Sequence, residues 1–183
     1  MNEEIKVGGH ISRQFDEELE EIRARVLKMG GLVEAQLDKT LHALREDSSE
    51  QIVDVEKLDR KVNKLEMLID EECTQILAKR QPAAGDLRLI ISTSKSVRDL
   101  ERIGDEAERV ATMVRHALDN DASNKSFKGL LSLGEHVKEL LHATLNTYAR
   151  MDSRSAVLNM RMDQHIDEEL SLIHISEPTR PSQ

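Results

Sequence analysis

The sequence predicts an all-α protein built as two pseudo-repeated three-helix bundles of up-and-down helices, the second lacking its third helix. Three observations carry this. Apolar residues recur in steps of three and four through long stretches free of proline, the period of a helix face. The composition, 33% charged and 2% aromatic with no Trp, is that of long helices. A stretch that begins near residue 122 then reproduces the start of the chain at a constant offset, the mark of a repeated unit.

The first helix follows from Leu19, Ile22, Val26, Met29, Val33, Leu37, Leu41 and Leu44, a seam that starts after Phe15. Gly30-Gly31 interrupts the seam without a proline, so a close helix contact or a slight bend is expected there, at about 1 kcal/mol per Gly relative to Ala. Asp47-Ser48-Ser49 supplies a stop and a new N-cap. Ile52, Val55, Val62, Leu65, Ile69 and Ile76 then define a second helix that ends near Gln81-Pro82. The third opens after Pro82-Ala83-Ala84-Gly85, with Asp86 placed as N-cap, and runs through Ile90, Val97, Leu100, Ile103, Ala107 and Val114. Asn120-Asp121-Ala122-Ser123-Asn124 is a linker by composition.

Beyond the linker the first unit begins again. The offset that sets Leu27 on Leu131 also sets Gly30 on Gly134, Val33 on Val137, Leu37 on Leu141, Leu41 on Leu145 and Asp59 on Asp163, with no gap. The organisation expected is therefore a first repeat over 1–121, a second over 122–170 cut short after two helices, and an irregular segment over 171–183. That last segment carries two prolines and no continuation of the seam, and is expected to be a non-native tail following a truncation. A short variant completed by a partner chain is the alternative.

Charge and cysteine content narrow the function. A net charge of -9 and the lack of aromatic stacking platforms argue against nucleic acid as a partner. No run approaches the roughly 18 apolar residues of a spanning helix, so direct membrane insertion is not expected. A single cysteine, Cys73, and no secretory leader point to a reduced cytoplasmic protein, with Cys73 a buried thiol rather than a nucleophile. No phosphate loop, dinucleotide fingerprint or serine elbow is present, so the chain is not expected to be an enzyme. Glu139 and His142 have the spacing used by di-iron carboxylate bundles, but the first repeat has Ala35 and Asp38 at those places.

The chemistry that remains is carboxylate chemistry. Glu101, Asp105 and Glu108 lie at i, i+4 and i+7 on one helix face, and Asp59, Asn63, Glu66 and Asp70 keep a similar rhythm on the preceding helix. Asp59 stands where the seam between Val55 and Val62 calls for an apolar residue, so it needs a cation, a hydrogen-bond partner or water. Oxygen-only ligands suit hard cations. The competing reading is two solvated faces, with Glu101 paired to Arg98 or a neighbour and Asp105 paired to Arg109, each pair worth about 0.3 to 0.5 kcal/mol.

Taken together, Lys79-Arg80-Gln81-Pro82, Asp86-Leu87-Arg88 and Leu100-Glu101-Arg102-Ile103-Gly104-Asp105 resemble the PhoU family, accessory proteins of bacterial phosphate-specific transport and negative regulators of the phosphate response. His10-Ile11-Ser12, Phe15, Met29-Gly30-Gly31 and Ala149-Arg150-Met151-Asp152 add to the resemblance, which runs from about residue 8 to about residue 170. It implies two pseudo-symmetric three-helix bundles and a multinuclear metal cluster, of iron or of Mg, Mn or Zn, held by Glu-x-x-x-Asp motifs. Carried over residue by residue, the metal ligands are Glu101, Asp105, Asp59, Asn63 and Glu108, with Asp163 and Asp167 marking the second copy. The resemblance also implies a protein that meets the ATPase subunit of the phosphate transporter and a phosphate-sensing histidine kinase, and the missing sixth helix is expected to leave an apolar groove on the second bundle that favours a homodimer. Two other readings stay open at this level: a metal-dependent enzyme or metal store, and a structural helical adaptor whose acidic stripes are solvated.

Overall fold

The computed structural model describes residues 8–46, 49–119 and 128–176. Among them are five helices and no strand: α1 (Gly8–Glu46), α2 (Ser49–Arg80), α3 (Ala84–Asp119), α4 (Lys128–Arg150) and α5 (Ser153–Ser176). The predicted Asp47-Ser48 cap, the 120–124 linker and residues 177–183 lie outside the described residues. No described helix is long and apolar enough to cross a membrane.

The first three helices pack as one bundle. Apolar residues one turn apart on α1 (Val26, Met29, Val33) meet Val62 and Ile69 of α2 and Val97 and Leu100 of α3. A second cluster at the other end joins Ala43 and Leu44 to Ile52, Val55, Ala111 and Val114. The side chains of Met29, Val33, Val62 and Val97 are fully buried, and burial of this kind contributes about 1.5–3 kcal/mol per large aliphatic side chain. Cys73 belongs to the first cluster, and burial, followed by the nearby Asp70 and Glu72 charges, pushes its thiol up to about 11. That suits packing rather than attack.

Helix ends follow local chemistry. Gln81, ahead of Pro82, takes φ 45°, and Met151 takes φ 52°, the left-handed turn that ends a helix. At the end of α4 the Met151 amide donates to the Tyr148 carbonyl (3.1 Å) and the Asp152 amide to the Thr147 carbonyl (3.1 Å), the paired bonds of a Schellman motif. Asp152 then caps α5, its Oδ1 accepting from the amides of Arg154 (3.0 Å) and Ser155 (3.2 Å). Two expectations need correction. Asp86 is not the N-cap of α3, because the helix already starts at Ala84 and the Leu87 amide donates to the Ala83 carbonyl (2.9 Å); its charge instead faces the positive end of the helix dipole from the first turn. The segment after Leu170 is not irregular from residue 171, since α5 continues to Ser176. Leu172-Ile173-His174-Ile175 contains no breaker, and the first proline is Pro178.

The two repeats meet through α1 and α4. A Cβ on Gly30 would collide with the side chain of Leu145, and one on Gly134 would collide with that of Leu41. The repeat offset turns the first contact into the second. It does the same for the polar pairs: His142 Nδ1 lies 2.7 Å from Glu34 Oε1, and Lys138 Nζ lies 2.9 Å from Asp38 Oδ1. A local pseudo-dyad therefore passes between α1 and α4. Arg23 of α1 also donates to the Ala149 carbonyl. α5 has no buried side chain among its described residues, and Val157, Leu158 and Met160 are exposed.

Candidate metal centre

The stripes on α2 and α3 face each other across the open side of the first bundle. Asp59, Asn63 and Glu66 of α2 and Glu101, Asp105 and Glu108 of α3 are all half-buried. Burial, then the charges of Asp105 and Glu66, a hydrogen bond to Asp105 and the charge of Asp59, push the Glu101 carboxyl above its ordinary range. Glu108 is raised by burial and then by Asp59, Glu56 and Asp105, against the opposing pull of Arg115. Asp59 is raised by burial above all, with Asp105 adding to the rise while Gln36 and Asn63 oppose it through hydrogen bonds. Carboxylates from two helices thus confront each other at partial desolvation.

The predicted helix salt bridges do not form here. Arg109 Nη1 is 2.8 Å from Glu106 Oε1 on the exposed side, and Arg115 binds Glu56 (2.8 Å). Asp59 does find hydrogen-bond partners in its apolar slot. Its Oδ2 accepts from Asn63 Nδ2 (3.1 Å) and its Oδ1 from Gln36 Nε2 (3.3 Å). Gln36 reaches across from α1, fully buried, and its Nε2 also points at the Gly104 carbonyl (3.5 Å). One turn further along α1, Thr40 Oγ1 donates to the Ala107 carbonyl (3.1 Å). Gly104, between Glu101 and Asp105, admits this approach: a Cβ there would lie 2.8 Å from Gln36 Oε1.

The remaining expected residues lie apart. Asp163 and Asp167 are exposed on α5, whose packing partner is α4, and they do not join the α2–α3 stripe. His142 is engaged with Glu34. Asp70 receives Ser94 Oγ (2.6 Å) and tethers α3 to α2 below the stripe. Gln36 and Glu56 complete the acidic neighbourhood without having been singled out by pattern. Gln36 had a signal of its own, as a polar residue on the α1 seam between Val33 and Thr40.

The donor chemistry fits a hard cation: every candidate ligand is oxygen. Two carboxamide oxygens, Gln36 Oε1 and Asn63 Oδ1, are buried without a protein partner, and buried acceptors are ordinarily satisfied. Among the described residues no three His, Cys, Asp or Glu side chains already converge to hold an ion. Loading the face therefore requires side chains on facing helices to turn toward one another.

Known proteins supply the context for this geometry. The PhoU domain family matches residues 26–114. The chain is 45% identical over 160 residues to the phosphate-specific transport system accessory protein PhoU homolog of Pseudomonas putida, covering 87% of this chain and 62% of that protein. It is 42% identical over 167 residues to the phosphate-specific transport system accessory protein PhoU of Escherichia coli K12, covering 90% of this chain and 68% of that one. The chain thus spans less than two thirds of the Pseudomonas putida relative. Among solved structures, the crystal structure of PhoU from Pseudomonas aeruginosa superposes with a TM-score of 0.83 at 42% identity, over 87% of this chain and 76% of that one. The phosphate transport system regulatory protein PhoU from Streptococcus pneumoniae gives 0.77 at 28% identity, over 87% and 74%. With identity, fold and helix order in agreement over most of its length, the chain belongs to the PhoU family.

Proposed function

We propose that this protein regulates phosphate uptake and phosphate homeostasis, restraining the phosphate-starvation response by coupling the phosphate ABC transporter, through its ATPase subunit, to a phosphate-sensing histidine kinase. The names of its relatives support the phosphate-transport role. The observation that carries the mechanism is the acidic face of α2 and α3, where Asp59, Glu101, Asp105 and Glu108 repel one another at partial burial. A bound cation would supply positive charge there. Asp59, Asn63, Glu101, Asp105 and Glu108 would hold it, and these side chains bind, orient and screen one another so that α2 and α3 take a defined spacing. A surface whose spacing differs between two states can favour one partner over the other. The open apolar side of α5 supports the reading that the protein acts as a homodimer.

Deleting the gene should derepress phosphate-scavenging genes in rich phosphate, measured with a phosphatase reporter, and a plasmid copy should restore repression. Normal repression in the deletion strain would sink the regulatory reading. Complementation with a Glu101→Ala/Asp105→Ala variant that represses as well as wild type would detach the acidic face from that role.

A further inference from the structure

We infer that Gln36 is a positioning residue of the acidic site, holding the Asp59 carboxylate and tying α1 to the cation-binding face; the inference rests on reading that face as a cation site. A carboxamide with no exposed surface in an aliphatic seam is unfavourable unless its polar atoms are used. Gln36 uses its Nε2 on Asp59 Oδ1 at 3.3 Å, while Asn63 holds the other carboxylate oxygen at 3.1 Å. Asp59 is therefore held from two helices, one amide on each oxygen. A side chain that donates to a ligating carboxylate fixes its orientation, the work of outer-shell partners around metals.

The same amide also touches the opposite wall. Gln36 Oε1 has no protein partner and sits against Gly104, between Glu101 and Asp105, where any Cβ would be 2.8 Å away. One buried side chain from α1 thereby meets both helices that carry carboxylates. The second repeat offers a control. The offset sets Gln36 on Leu140, which has no amide to donate, and Asp163, the counterpart of Asp59, is exposed on α5. The device belongs to the first repeat, and cation binding concentrates there.

The test is Mn2+ titration of the full chain, followed by electron paramagnetic resonance, on wild type, Gln36→Met and Asp59→Ala, and on the double variant. Methionine keeps the length and removes the N–H donor. Gln36→Leu, which installs the residue the second repeat uses, is the second variant should the first lose helicity by circular dichroism. Gln36→Met should weaken Mn2+ binding by about tenfold or more and should add nothing in the Asp59→Ala background, where no acceptor is left for its Nε2. Wild-type affinity in the folded Gln36 variants overturns the inference and leaves the cation site standing. A Gln36 effect undiminished in the Asp59→Ala background also overturns it, because the action would not pass through Asp59. Absence of Mn2+ binding to wild type overturns the site and the inference together.

Discussion

At the scale of single residues, the carboxylates divide by their neighbours. Glu18 has Arg80 across the helix pair, with contacts of 2.7 and 3.1 Å. That hydrogen bond, against the opposing effect of burial, holds its carboxyl below the ordinary range. Glu135 is held low as well, first by its hydrogen bond to Lys138. A carboxyl whose folded value is depressed stabilises the fold above its unfolded value and loses that contribution as pH falls through the folded one. Glu18→Gln and Glu135→Gln should therefore lower the melting temperature at pH 7, and the gap to wild type should close below about pH 4. Melting curves across that range check it. The acidic face responds the other way. Its charges repel, so Glu101→Gln should raise the metal-free stability by a small, solvent-screened amount, within about 1 kcal/mol, and with it the melting temperature, while weakening any stabilisation by added Mn2+. An equal Mn2+ shift in both proteins would contradict this.

The spacing of Glu101, Asp105 and Asp59 was visible in the sequence because helix periodicity fixes which residues share a face. Gln36 showed in the sequence only as a polar residue on the α1 seam; its part in the site depends on α1 meeting α3 at Gly104, a tertiary approach no single-helix pattern encodes. The fate of Arg109 was hidden for a related reason. Glu106 and Asp105 both lie within reach along the helix, and the choice between them followed from which side of α3 is solvated.

Elements show how unlike two adjacent glycines can be. Gly30 and Gly31 form one interruption in the sequence, yet Gly30 lies under Leu145 while nothing comes within 4 Å of a Cβ on Gly31. Gly31→Ala should stabilise α1 by about 0.5–1 kcal/mol through helix propensity. Gly30→Ala should cost about 1–3 kcal/mol by overpacking, and the sign should reverse in a Leu145→Ala background, where the space exists. Denaturant titration of the four proteins gives the coupling directly. The same cycle with Gly134 and Leu41 should behave alike, because the pseudo-dyad makes them the same contact. The helices themselves were readable from periodicity. Their ends were less so: Asp86 fell inside α3, and α5 ran past Leu170, because apolar residues without a breaker continue a helix whether or not they continue its seam.

The molecule as a whole is unevenly stabilised. Both core clusters consist almost entirely of α1, α2 and α3, and among the described residues Leu141 is the one fully incorporated from α4. α5 rests on α4 with no buried side chain among its described residues. Amide hydrogen exchange should accordingly be slowest at the α1–α3 core and fastest, among the described helices, along α5. Uniform protection across all five helices would show that α5 is held by contacts beyond those seen here.

The seam between α1 and α4 has a further consequence. Two identical α1 helices meeting through the same dyad would set Glu34 against Asp38 twice, four carboxylates in a row. Two α4 helices would set Lys138 against His142 twice. Only the mixed pairing gives Glu34 to His142 and Asp38 to Lys138. The charges on this seam therefore make each repeat a better partner for the other than for a second copy of itself.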